Sequence, residues 1–127
     1  MTQVLLSLGS NLAWDEAVRM LEGVRVPLSR LCPGMRFSSV YATRAEGHST
    51  GTYANCMAVG DCPDDLATLE GACKRLETEL GRTDEARRRG LVPIDIDVVR
   101  YGSEIVRPAN YTYTYMRRGL EELGLAT

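Results

Sequence analysis

The sequence predicts an α+β protein, one antiparallel sheet with two helices packed on one face. Three observations predict it. The 127 residues, 44% hydrophobic and 25% charged, supply one packed core, so residues 1–127 are expected to form a single domain. Short apolar or alternating runs recur along the chain, and two segments between them carry apolar residues at helical spacing instead. The resulting order, β-α-β-β-α-β, is the ferredoxin-like sandwich arrangement.

The run VLLSLGS over 4–10 reads as a buried strand closed by Gly9. Trp14, Ala17, Val18 and Leu21 then recur at helical spacing. Asn11 is the expected cap of that helix, and Pro27 its expected limit. MRFSSVYAT over 35–43 alternates as a second strand, AEGHSTG over 45–51 is turn material, and TYANCMAVG over 52–60 is a third strand antiparallel to the second. Pro63 is expected to open a second helix, with Leu66, Leu69, Cys73, Leu76 and Leu80 as its apolar stripe and Gly81 as its stop. Arg82 to Gly90 shows no period and reads as a loop. PIDIDVVRYG is a fourth strand and EIVRP a short edge strand. The tail YTYTYMRRGLEELGLAT reads as a β-like alternation of tyrosines, acting as packing or pocket wall, followed by a short helix around Leu120 to Leu123.

A net charge of −2 gives no broad basic field, so nucleic acid is not an expected partner. No apolar run is long enough to span a membrane. The four cysteines, Cys32, Cys56, Cys62 and Cys73, contain no CxxC pair. The start MTQVLLSLGSNL lacks a basic stretch and a small-residue cleavage site, so reduced, mostly buried thiols and a cytoplasmic location are expected. His48, the only histidine, lies in a turn-rich stretch and carries no assigned role.

The chemistry concentrates in GRTDEARRRGLVPIDIDVVRYG, residues 81–102. Residues i and i+2 of a strand share a face, so Asp95 and Asp97 project together while Ile94, Ile96 and Val98 project the other way. Two adjacent carboxylates repel unless a cation sits between them, and Mg²⁺ favours carboxylate together with phosphate oxygens. Arg82, Arg87, Arg88 and Arg89 just before them offer forked donors that suit phosphate. Taken alone, the aspartates equally suit a solvated sheet face, and the arginines a solvated loop. Gly9, Ser10 and Asn11 form a strand-to-helix turn that either takes an anion on its N–H groups or simply turns the chain. Tyr53 and Asn55 share one strand face, where an amide and an aromatic suit a heterocycle. As bland alternatives, they are a packed tyrosine and a strand-end asparagine.

These residues resemble the 6-hydroxymethyl-7,8-dihydropterin pyrophosphokinases of folate biosynthesis. The resemblance runs over nearly the whole chain through SLGSNL, SSVYAT, YANCMAV, LETELGR and, most specifically, IDIDVVRYG. It implies a ferredoxin-like sandwich and transfer of the terminal diphosphate of ATP to the pterin hydroxymethyl group, with AMP released. Asp95 and Asp97 would hold two Mg²⁺ ions. Arg82 would act in catalysis and, with Arg88 and Arg118, bind ATP. Thr43, Tyr53 and Asn55 would bind the pterin. The partners would be ATP and the pterin alone, on a monomer or weak homo-oligomer.

The chain also departs from the family pattern. Leu91 and Val92 stand where the family has Pro-Arg, and Asp84 replaces another arginine. The loop ATRAEG lacks the family's prolines. Thr112 replaces a phosphate-binding histidine, and Leu120 an aromatic that would stack on the pterin. The chain also stops at Thr127, short of typical members. Two other readings therefore remain beside the enzyme: a noncatalytic pterin- or nucleotide-binding paralogue, and an interaction or oligomerisation domain on the same scaffold.

Overall fold

The computed structural model describes residues 1–44 and 52–126; the turn expected over 45–51, with His48, lies outside them. Six strands form one antiparallel sheet: β1 Thr2–Ser10, β2 Arg36–Phe37, β3 Tyr41–Arg44, β4 Thr52–Cys62, β5 Asp95–Tyr101 and β6 Glu104–Ile105. The order is β2-β4-β1-β5-β6, and β3 pairs with β4 beyond β2. The expected α+β ferredoxin-like sandwich is what forms.

Helices α1 (Trp14–Gly23), α2 (Arg25–Leu31) and α3 (Leu66–Glu79) cover one face of the sheet. Central strand β1 is apolar throughout its middle because both of its faces are covered. Val4, Leu6 and Leu8 pack toward the helices with Ala17, Leu21, Leu28, Leu69, Cys73, Ile96 and Val98. Leu5 points to the other face and packs with Met57, Val59, Val99, Met116, Leu120 and Leu123. That second cluster lies under α5 (Thr114–Glu122), so the face opposite the three helices has a cover of its own. Each buried aliphatic there contributes about 1.5–3 kcal/mol. Tyr41 Oη donates to Tyr115 O, Arg36 Nη1 donates to Leu123 O at 3.1 Å, and Glu122 Oε1 accepts the Ser39 N–H at 3.0 Å, which fastens α5 to the β2–β3 edge.

Several local expectations are corrected. The expected 35–43 strand is broken at Ser38, whose buried hydroxyl accepts the Met57 N–H at 2.9 Å in place of a ladder bond. α1 ends at Gly23, before Pro27 as expected, but a second helix follows at once, and Pro27 lies in the first turn of α2, where an N–H has no intrahelical partner to lose. Pro63 precedes α3 rather than opening it; Asp65 is the cap, accepting the Thr68 N–H at 2.8 Å. Residues 82–90 contain a one-turn helix, α4 (Asp84–Arg88), capped by Thr83 and ended at Gly90 with φ 71°. It is too short for an apolar period to show, and Ala86 is its one buried residue. The tyrosine tail is not β: Pro108–Thr112 is a 3₁₀ turn, and α5 begins at Thr114. Met116, Leu120 and Leu123 are spaced for a helix, and their burial outweighs the alternation of the tyrosines. All four cysteines are free and buried. Among the described residues, no helix is long and apolar enough to cross a membrane.

Candidate functional site

On the α5 face, each of the three central strands changes character along its length. In β1, Leu5 gives way to Ser7 and Gly9; in β4, Val59 and Met57 give way to Asn55 and Tyr53; in β5, Val99 gives way to Asp97 and Asp95. The register aligns the three changes. Ser7 pairs with Met57 and Asp97, and Gly9 pairs with Asn55 and Asp95. Apolar packing therefore fills the part of this face under α5, and a polar cleft of about 180 Å³ opens beyond it.

Gly9 is the floor between the two walls. A Cβ there would lie 2.9 Å from Asn55 Nδ2, so glycine lets the amide lie across the strand. Asn55 is only 6% exposed. Its Oδ1 accepts from Thr43 Oγ1, and its Nδ2 donates to Leu8 O at 3.3 Å. One N–H and one lone pair of the amide remain for a ligand. Thr43, Tyr53 and Asn55 thus line one wall together. Burial pushes the Tyr53 hydroxyl pKa up, with a further push from Asp95, so the ring presents a neutral phenol.

Asp95 and Asp97 form the opposite wall. Burial, then the charge of Asp95, holds Asp97 up to about 7 from an ordinary 3.8. Arg82 Nη1 donates to Asp95 Oδ1 at 2.9 Å and lies 3.1 Å from Glu77 Oε2. Burial lowers the Arg82 pKa, but the hydrogen bond and charge of Asp95, with Glu77, outweigh it and the pKa goes up. The aspartates and Arg82, expected together, are together.

Arg88 and Arg118 are not in this group. Arg88 is exposed on α4 and does not line the cleft. The Arg118 guanidinium lies over the Tyr41 ring at 4.5 Å, with its Nε 3.9 Å from Glu122. Leu120 packs from α5 into the core against the sheet, and the Thr112 hydroxyl donates to Ala109 O at 2.7 Å. The Gly9–Asn11 turn spends its Asn11 N–H on Val92 O at 3.0 Å, and the next N–H, that of Leu12, donates to Ser10 Oγ at 3.3 Å, so the segment turns the chain rather than holding an anion with them.

Among the described residues, Ser7 and four further contributors escaped sequence reasoning. Glu77, 4% exposed, accepts the Ile96 N–H at 2.7 Å and reaches Arg82. Its signal was available: it follows Leu69 and Cys73 at i+4 steps, a carboxylate on the apolar stripe. Burial pushes its pKa up against the opposing pull of the Ile96 N–H and Arg82. Arg44, Arg107 and Asn110 line the cleft and carry no comparable pattern. Tyr113 and Tyr115 also line it, as the pocket-wall reading of the tyrosines expected, and Tyr115 Oη lies 3.3 Å from Ser7 Oγ.

No curated protein matches this chain. A solved crystal structure of an amidohydrolase/peptidase from Burkholderia cenocepacia is similar at 22% identity and a TM-score of 0.41, over 98% of this chain and 34% of that one. This chain thus spans about a third of that protein's length, and a likeness of that strength bears on neither fold nor function here. A family model described as 7,8-dihydro-6-hydroxymethylpterin-pyrophosphokinase (HPPK) matches residues 5–124, from within the central strand to just past the end of α5. The match takes in the Asn55 wall, the aspartate wall and the strand between them, and the chain belongs to the HPPK family.

Proposed function

We propose that this chain catalyses Mg²⁺-dependent transfer of the terminal diphosphate of ATP to 6-hydroxymethyl-7,8-dihydropterin. One observation carries the reading: Asp95 and Asn55 flank Gly9 in register, so a carboxylate pair and a heterocycle-reading amide face each other across one strand.

The donor set suits Mg²⁺. Both carboxylates face one cleft, and the repulsion that burial sharpens at Asp97 is what a hard cation relieves. Among the described residues, no group of three or more His, Cys, Asp or Glu side chains is placed to hold a metal by itself. Two carboxylates completed by phosphate oxygens and water are the usual Mg²⁺ arrangement. When bound, Mg²⁺ neutralises charge on the phosphate oxygens. Arg82, held by Glu77, keeps Asp95 oriented. Asn55 and Thr43 read the pterin edge, and Tyr53 walls its face. The pterin hydroxymethyl oxygen bonds to the β-phosphorus as the bond to the oxygen bridging α and β breaks. AMP leaves with that oxygen, and the hydroxyl proton is released to solvent. Positioning and charge, not a covalent enzyme intermediate, supply the acceleration.

The test is AMP formation from ATP with the pterin and Mg²⁺ all present. AMP at the level of an Asp95→Ala/Asp97→Ala double variant overturns the reading. Arg88 and Arg118 outside the cleft favour a second reading, a binding protein without turnover. Saturable heat on calorimetric titration with the pterin, without AMP, would establish it.

A further inference from the structure

The helix layer carries a groove of its own, on the face of the sheet opposite the aspartates. It runs between α2 and α3 and holds about 260 Å³. Pro27 and Leu31 form its α2 wall, and Ala72 and Leu76 its α3 wall. Leu31 and Leu76 pack against the core on one side and stay partly open on the other. Val26, next to Pro27, is 57% exposed. Apolar surface gathered along a groove and rimmed by charge is the composition of a contact surface.

The rim charges decide what fits there. Arg75 and Glu79 both line the groove and both are exposed. They stand one turn apart on α3, about 6 Å along its axis. Side chains at that spacing can pair, although arginine placed first is the weaker order. Among the described residues, neither takes part in an ion pair. The Arg75 guanidinium turns the other way and lies back over Gly71, where a Cβ would be 3.6 Å from its Nη1. Long helical side chains lean toward the helix N-terminus, so the guanidinium is directed away from Glu79. The α3 rim therefore ends in an unpaired cation on one side and an unpaired carboxylate on the other.

A rim with both signs one turn apart complements itself under a two-fold rotation. With the axis midway between them, two antiparallel α3 helices set Arg75 against the partner's Glu79 and Glu79 against the partner's Arg75. The same axis brings the two Leu76 side chains together. Reciprocal contacts of this kind define an isologous dimer, the commonest closed assembly. A uniformly acidic partner would meet Glu79 with like charge, and a uniformly basic one would meet Arg30 and Arg75.

We propose that the α2–α3 groove docks a second copy of this chain through Leu31, Leu76 and two reciprocal Arg75–Glu79 pairs. The cleft lies on the other face of the sheet, so each protomer keeps an open site. The proposal is independent of the reaction assigned to that site.

The test is sedimentation velocity of the full chain over about a hundredfold range of concentration, with Tm measured alongside. The samples are wild type, Arg75→Glu, Glu79→Arg and an equimolar mixture of the two variants. Wild type is expected to pass from monomer to dimer as concentration rises. Each variant alone sets like charges opposite each other at both contacts and is expected to stay monomeric. Both positions are exposed, so both variants are expected to fold. In the mixture one copy carries two carboxylates and the other two guanidiniums. Both contacts are then complementary, and the dimer is expected to return. Wild type that stays monomeric throughout leaves the groove to an unlike protein and overturns the proposal. So does a mixture of folded variants that stays monomeric. A single variant that dimerises as wild type does overturns it as well, because the dimer then uses another surface.

Discussion

Asn11 and Val92 are joined twice: the Asn11 N–H donates to Val92 O at 3.0 Å, and the Val92 N–H donates to Asn11 Oδ1 at 2.6 Å. Asn11 Nδ2 adds a third bond to Gly90 O at 2.9 Å. The turn after β1 is thereby locked to the segment that enters β5, three residues before Asp95. Asn11→Ala removes the two side-chain bonds and leaves the Val92 N–H without its partner. A loss of about 1–3 kcal/mol is expected in thermal or urea unfolding. Mg²⁺ affinity should fall as well, because the entry to the aspartate strand is loosened. An unchanged midpoint would show that the turn holds without the side chain.

The pH dependence of stability should carry the signature of Asp97. Its folded-state value of about 7 lies above the ordinary 3.8, chiefly through burial and then the charge of Asp95. The folded protein therefore binds this proton more tightly than the unfolded chain does. The group's contribution is fully present at low pH and is lost as pH rises toward 7. Asp97→Asn removes the penalty, so its unfolding free energy should exceed that of wild type at pH 8 by on the order of a few kcal/mol, with a higher Tm, and match it near pH 4. Mg²⁺ should raise the wild-type Tm more at pH 8 than at pH 6, since the cation needs the ionised carboxylate. A less stable Asp97→Asn protein at pH 8 would refute the assignment.

Gly119 marks the closest approach of α5 to the sheet. A Cβ on it would meet Met57 Cγ, and would lie 2.7 Å from Met57 Cβ and 2.9 Å from Tyr41 Oη. In an exposed helix Gly→Ala stabilises by about 1 kcal/mol. Here overpacking, typically about 1–3 kcal/mol, should outweigh that gain and lower the Tm of Gly119→Ala. A raised Tm would mean that α5 does not sit this close to β4.

Burial pushes the Cys32, Cys56 and Cys73 thiols up to about 12, and all four cysteines are enclosed. The thiolate is the nucleophile, so a disulfide reagent at pH 8 should modify none of them rapidly in the folded protein and all of them in denaturant. Fast labelling of even one thiol before unfolding would contradict the packing of the helix-side core.

The aspartate wall was legible because a strand's period of two puts i and i+2 on one face whatever surrounds it. Tyr53 and Asn55 were legible for the same reason, and the strand–helix order was enough for the sandwich. Glu77 left a trace, a carboxylate on an apolar stripe, whose meaning depends on Ile96 and Arg82 from other elements. Arg107 left none, because its place in the cleft depends on a backbone anchored to Val99 and on the distance to Asp97.

Local periodicity, which depends only on backbone geometry, thus determined which residues share a face and in what order the elements come. Tertiary structure decided what lies across from each face. It turned the tyrosine tail into a helix because Met116, Leu120 and Leu123 had a sheet face to bury. It placed Gly9 between Asn55 and Asp95 because antiparallel register links residues far apart in the chain. It also sent Arg82 to Asp95 and Glu77, Arg107 to the cleft, and Arg88 and Arg118 elsewhere, since a long cationic side chain takes its direction from the partners within its reach.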